Sequence, residues 1–154
     1  MKFNLNSAIL RGGLAGLVVL LTFAAVAASA GTLKFEAQLI WGTSDAQPAD
    51  SKHKAVDADV RKKLGDLPLK WANYYLICKK CAEVAEGAAR KVTLSDKCVI
   101  EVRNLDNAKV EVSLFGKGAA IWTRTQTLPE GEILVLGGNA PNDSAWLVTL
   151  KRVN

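Results

Sequence analysis

Histidine is nearly absent from this chain, since His53 is the single one. Any Ser–His–Asp or Cys–His catalytic set would therefore need that one side chain. The sequence also lacks a Gly-x-Ser-x-Gly turn and the lysine of a glycine-rich phosphate loop. Only a pair of carboxylates of the glycosidase type stays open, because their separation is spatial. The sequence therefore predicts no catalytic site and no cofactor.

An excess of either charge is missing as well. The chain has 20 basic and 15 acidic residues, interspersed along its length. A nucleic-acid-binding protein is expected to concentrate lysine and arginine on one face or helix. We therefore predict no nucleic-acid partner.

Long apolar runs are confined to the first thirty residues. Lys2 and Arg11 are followed by an almost unbroken apolar run over 14–26 and by Ala28-Ser29-Ala30, which is typical of a signal-peptidase site. A membrane-spanning helix needs about 20 apolar residues, and this run has thirteen. We predict that residues 1–30 are a cleaved signal peptide, with a retained anchor as the alternative. The product would be soluble, periplasmic or extracellular, with no integral membrane span.

Cleavage after Ala30 leaves 124 of the 154 residues and lowers the formal net charge of +5 by two, to +3. That length suits a single domain, here 31–154. Residues 33–41 alternate apolar and polar, which is typical of a half-buried strand, and 42–51 have loop composition. Val56, Val60 and Leu64 form a narrow apolar stripe on a helix over about 52–65. Further strands are predicted at about 69–81, 90–94, 97–105, 109–115, 119–128, 132–137 and 144–152.

This pattern predicts a mainly β fold, with an antiparallel meander or sandwich-like sheet and one amphipathic helix packed on it (α+β). The apolar positions of 98–102 and 110–114 share a face only if the connecting loop is odd in length. We therefore predict three-residue loops around Asn107 and over 116–118. The second loop would pair Val112 with Trp122.

Three cysteines follow the predicted cleavage site, at Cys78, Cys81 and Cys98. Export to an oxidising compartment predicts one disulfide, from Cys98 to Cys78 or Cys81, and one remaining thiol. A Cys-x-x-Cys redox motif needs a helix start or cations beside its first thiol, and here strand-like residues precede it. A zinc site made by the three cysteines with His53 is a second alternative. Residue 82 is alanine, which excludes a c-type haem motif.

Two polar segments, 42–51 and 137–144, are candidate contact surfaces on the sheet scaffold. In the second we predict ligand contacts from Asn139, Asn142, Asp143 and Ser144. The four tryptophans suggest carbohydrate stacking, but Trp41 shares its phase with core positions, so core packing is predicted for most of them.

Taken together, these patterns predict an exported, small, non-enzymatic binding or envelope-structural module. Its partner would be an envelope protein or a glycan. The alternatives are a thiol-disulfide redox protein that uses Cys78 and Cys81, or a small zinc-binding domain that uses Cys78, Cys81 and Cys98 with His53.

Overall fold

A computed structural model describes residues 31–45, 53–140 and 143–154, with the backbone alone at Asn139. The predicted signal peptide and most of the 42–51 loop lie outside these ranges. The described chain forms nine strands and one helix: β1 Leu33–Thr43, β2 Lys54–Ala55, α1 Ala58–Gly65, β3 Asn73–Val84, β4 Ala89–Ser95, β5 Cys98–Asp106, β6 Lys109–Gly116, β7 Ala119–Thr127, β8 Ile133–Ala140 and β9 Ser144–Arg152. Within these ranges no helix has the length and apolar composition that crossing a membrane requires.

The strands form two antiparallel sheets. One has five strands in the order β2-β3-β1-β9-β8, and the other has four in the order β4-β5-β6-β7. The two sheets share one apolar core, so they pack face to face as a sandwich. The predicted mainly β, antiparallel fold with one helix is confirmed.

Strict alternation along the strands builds that core. Every second side chain of a strand points to the same face of its sheet, and here those side chains are apolar. The fully or nearly fully buried set includes Phe35, Ala37 and Leu39 from β1, Ile100 and Val102 from β5, Val110 and Val112 from β6, and Leu150 from β9. Each large side chain of this kind stabilises the fold by roughly 1.5–3 kcal/mol through burial.

The helix packs on the other face of the five-stranded sheet. Val60 and Leu64 bury their side chains against Ile133 and Leu147 in a second apolar cluster, as the narrow apolar stripe predicts. The helix begins at Ala58 and not at 52, because Lys54–Ala55 pairs with β3 as a short edge strand.

Both predicted three-residue loops are wrong in detail. The turns are two residues long, and positive φ angles at Asn107, Ala108, Lys117 and Gly118 fit the turn type that matches the twist of a hairpin. A β-bulge in each hairpin supplies the extra residue that keeps the apolar faces together. Trp122 therefore lies opposite Leu114 and not Val112, and it still packs against the core.

Much of the polar segment over 137–144 belongs to strands and not to a loop. Strand β8 extends to Ala140 and β9 begins at Ser144. Glycine is needed at 137, because a Cβ atom there would come within 2.3 Å of Leu147 Cδ2. Gly137 therefore serves the packing of two strands and not the mobility of a loop.

Candidate binding site

A row of aromatic side chains crosses the five-stranded sheet at the end of its inner face. Tyr75 of β3 lies opposite Trp41 of β1, and Trp41 lies opposite Trp146 of β9. The Trp41 and Tyr75 ring centroids are 6.0 Å apart. Trp146 is 48% exposed, whereas Val148 on the same face is 3% exposed. The second sheet therefore stops covering this face just before the aromatic row.

His53 extends the aromatic row toward the sheet edge. Its ring centroid lies 5.4 Å from that of Trp41 and 5.9 Å from that of Tyr75. The residue directly precedes β2, where Ala55 lies opposite Tyr75. His53 Nδ1 is buried and has no hydrogen-bond partner in the part of the chain that the structure describes. The row therefore contains four rings, three of which are in mutual contact.

A cleft of about 550 Å³ opens on the face of the sheet that carries α1, and it reaches the sheet edge where His53 lies. The side chains that line it include His53, Arg61, Trp71, Asn73, Tyr74 and Tyr75. Burial raises the pKa of the Tyr74 hydroxyl, so it is protonated at neutral pH and can donate a hydrogen bond. The cleft is open to solvent, and its lining combines aromatic rings with a larger share of polar groups.

The loop between β8 and β9 fixes one wall of the cleft. Trp71 Nε1 donates a hydrogen bond of 2.9 Å to the Asp143 carbonyl oxygen, and Lys70 forms an ion pair with the Asp143 carboxylate. The bare backbone of Gly42 makes room behind this wall, since a Cβ atom there would lie 3.3 Å from Tyr74 Cε1 and 3.5 Å from Trp71 Cγ. Asp143 thus positions an aromatic ring of the cleft.

The predicted contact residues of this loop fall in different places. Asn142 and the Asn139 side chain lie outside the described residues. Asp143 is exposed and is engaged with Lys70 and Trp71, whereas Ser144 is buried. Ligand contact by these four residues stays a prediction. Within the described chain, Asp143 contacts a residue that lines the cleft, namely Trp71.

The three cysteines are free thiols on β3 and β5, so the disulfide predicted from Cys98 is not formed in this structure. Cys78 and Cys98 are half-buried, and both pack against the core of the sandwich. Cys81 is exposed and lies opposite Glu36, on the other face of the sheet. The Cys-x-x-Cys motif runs through a continuous strand, so it has no helix start to stabilise a thiolate.

The predicted zinc ligands are not brought together. His53 contacts Trp41 and Tyr75, and Cys81 faces away from the core against which Cys78 and Cys98 pack. Among the described residues, no group of three or more histidine, cysteine, aspartate or glutamate side chains could hold a metal ion. The geometry therefore gives the zinc alternative no ligand set.

A charged network lies on the outer face, near the start of α1. Lys79 Nζ is 2.7 Å from an Asp57 carboxylate oxygen and 2.9 Å from a Glu36 oxygen. Gln38, which is 1% exposed, donates hydrogen bonds of 2.8 Å to both carboxylates. The hydrogen bond from Lys79 lowers the pKa of Asp57. These charges pair with one another, so the network fastens the start of the helix to the sheet.

No protein-family model, curated protein or solved structure matches this chain. Its function is therefore inferred from its own side chains.

Sequence reasoning missed the aromatic row and the cleft. The members of the row come from distant parts of the chain, and only the strand register brings them together. One signal was available, because residues 71–75 (WANYY) place three aromatic rings around Asn73 at the start of a strand. Such a cluster at a strand end indicates a surface site as readily as a core.

Proposed function

We propose that this protein is an exported, non-enzymatic module that binds a glycan on the aromatic row. The observation that carries the proposal is the register of Tyr75, Trp41 and Trp146 across three neighbouring strands, with Trp146 half exposed. Sugar rings present apolar C–H faces that pack on aromatic rings, and their hydroxyl groups need hydrogen-bond partners nearby. His53 brings ring nitrogens to the edge of the row.

The shape of this surface suits an extended polymer. Neighbouring strands lie about 4.8 Å apart, so the three rings span roughly 10 Å of sheet surface. His53 and Tyr75 line the cleft as well, so the row and the cleft approach each other at the sheet edge, although they open on opposite faces of the sheet. A polysaccharide chain that crosses the strands would contact several rings in succession. The predicted export brings the module to envelope polysaccharides, so we favour them over an envelope protein as the ligand.

The proposal includes the remaining predictions from the sequence. Export is expected because residues 1–30 resemble a signal peptide. A disulfide from Cys98 is expected once the domain reaches an oxidising compartment.

Sedimentation with insoluble polysaccharides tests the glycan proposal. The exported protein is mixed with purified peptidoglycan or chitin, and the bound fraction is measured as a function of polymer concentration. We expect Trp146→Ala to weaken binding about tenfold or more, since the loss of one stacked ring is worth about 1.4 kcal/mol or more. Because half of this side chain is already exposed, the variant should fold normally.

The matched control is Ile121→Ala. Ile121 is 64% exposed and lies on β7, in the other sheet, so its loss should leave polysaccharide binding unchanged. Equal losses in both variants would indicate non-specific adsorption and contradict the proposal. Retention by an envelope protein, with no binding to any polysaccharide, would overturn the glycan as ligand.

A further inference from the structure

The two cysteines of the Cys-x-x-Cys motif lie on opposite faces of one sheet. Cys78 lies opposite Leu39 and packs against the sandwich core, whereas Cys81 lies opposite Glu36 and is exposed on the outer face. Their spacing of three residues makes this unavoidable on an extended strand, because the side-chain period is two. Only Cys78 therefore faces the second sheet, which carries Cys98.

A contact farther along the same two strands fixes their relative level. Asn104 Nδ2 of β5 donates a hydrogen bond of 3.1 Å to the Val84 carbonyl oxygen of β3. Counting back six residues on each strand leads from Asn104 to Cys98 and from Val84 to Cys78. Strands of packed sheets stay within about 30° of parallel, so the two cysteines lie at similar levels. Both pack against the same core.

The ionisation of the thiols agrees with this placement. Burial raises the pKa of Cys98, and the negative charge of a Cys78 thiolate raises it further. The two sulfur atoms are therefore near enough to interact electrostatically across the sandwich.

We infer that Cys78 and Cys98 form a disulfide that joins the two sheets when the protein is oxidised, and that Cys81 remains a free thiol. A small-molecule disulfide such as oxidised glutathione is the oxidant. One protein thiolate attacks it and releases one glutathione thiolate, and the second protein thiolate then displaces the other. The two cysteines lose two electrons and two protons, the Cys78–Cys98 bond forms, and two glutathione molecules leave as thiols.

This inference rests on the proposed export for the oxidising environment, and it does not depend on glycan binding. Cys81 lies beside Glu36 on the face that carries α1, so no bond to Cys98 can form from it without turning over the strand. The link would hold β3 to β5 near the end of the sandwich at which the aromatic row begins. Its effect is therefore to fix the sheet that carries the row.

Tryptic peptide mapping tests the connectivity directly, because each cysteine falls in a different peptide: 71–79, 81–90 and 98–103. The full exported protein is equilibrated with oxidised and reduced glutathione, alkylated and digested. We expect one free thiol per chain, alkylated Cys81, and a linked pair of the first and third peptides. A link to 81–90, or three alkylated cysteines at equilibrium, would overturn the inference.

Variants separate the disulfide from a general effect on folding. Oxidation should raise the Tm of the protein and of Cys81→Ser by about 10 °C, and it should leave the Tm of Cys78→Ser and Cys98→Ser unchanged. A Tm rise that persists in Cys98→Ser contradicts the inference. Polysaccharide sedimentation of the same samples reports on the proposed function separately, so the failure of one leaves the other measurable.

Discussion

One face of β1 belongs to the core up to Leu39 and to the candidate site at Trp41, two residues later. Phe35, Ala37 and Leu39 are 1–3% exposed beneath the four-stranded sheet. Trp41, the next side chain on that face, is half-buried and contacts His53 and Tyr75 instead. The alternation is the same along the strand, so the difference comes from where the second sheet ends. The core and the candidate site therefore differ in whether the four-stranded sheet covers them, and not in the alternation of their residues.

The covered part also gives the uncovered part its geometry. Rings on a sheet surface are held at fixed spacing by the strand pairing below them, and sites built on strands are more precise than sites on loops. The pairing of β1 with β9 runs without a shift from Phe35 to Gly42, so Trp41 inherits its position from the core residues before it. The spacing of the rings in the row is therefore set by the fold itself.

Truncating one residue from each part should give the largest difference. Phe35→Ala removes a side chain that is 1% exposed and should lower the free energy of unfolding by about 3–5 kcal/mol. Trp41→Ala removes a larger but only half-buried side chain and should cost less, about 2–3 kcal/mol, because part of the ring is already exposed. Urea denaturation followed by circular dichroism measures both values.

Polysaccharide sedimentation of the folded variants completes this comparison. Trp41→Ala should lose binding, whereas Phe35→Ala should retain it at temperatures where the variant is folded. Equal stability losses would show that the second sheet covers Trp41 as well, and the proposed separation of core and site would then be wrong.

Much of the fold could be predicted because local patterns decide it. The six strands after residue 88 are predicted within about three residues of their observed ends, since alternation and turn residues mark them. The inward orientation of Trp122 is also predicted correctly, although its partner is not. A two-residue turn combined with a bulge places the same residues on the core face as a three-residue loop would, but in a different register. Alternation alone does not distinguish these two arrangements.

The candidate site could not be predicted because it depends on long-range pairing. Trp41 and Trp146 are more than a hundred residues apart in sequence, and they meet only because β9 returns beside β1. His53 was considered only as a metal ligand or catalytic group, whereas its position beside the row follows from the pairing of β2 with β3. The second sheet leaves one part of the first sheet uncovered, and the position of that part depends on the whole fold.

The charged network around Lys79 lies on the outer face of the same sheet. Lys79→Gln removes the ion pairs to Asp57 and Glu36 and should lower stability at pH 7 by roughly 0.5–1 kcal/mol. The folded-state pKa of Asp57 lies below its ordinary value of 3.8. Its contribution is therefore present above the unfolded pKa, and it is lost as the pH falls through the lowered pKa.

The stability difference between the wild type and Lys79→Gln should consequently be constant near neutral pH and should shrink below about pH 4. Lys80→Gln is the matched control, because Lys80 is an exposed neighbour on the opposite face of β3. Denaturation measured between pH 3 and pH 7 checks this. A difference that stays constant across the acid range would mean that the network does not depend on the Asp57 charge.

The smallest change in stability should come from Gly138→Ala, and it probes where the aromatic row ends. Gly138 lies opposite Trp146 on the face of the row, and in the described chain no atom lies within 4 Å of a Cβ added there. Stability should change by less than about 0.5 kcal/mol. The added methyl group would stand beside the exposed Trp146 ring, so we expect polysaccharide affinity to fall about threefold. Gly137→Ala is the opposite case, because its Cβ meets Leu147 on the outer face: it should lose stability and keep its affinity. If Gly138→Ala binds as the wild type does, the ligand surface ends at Trp146 and does not continue onto β8.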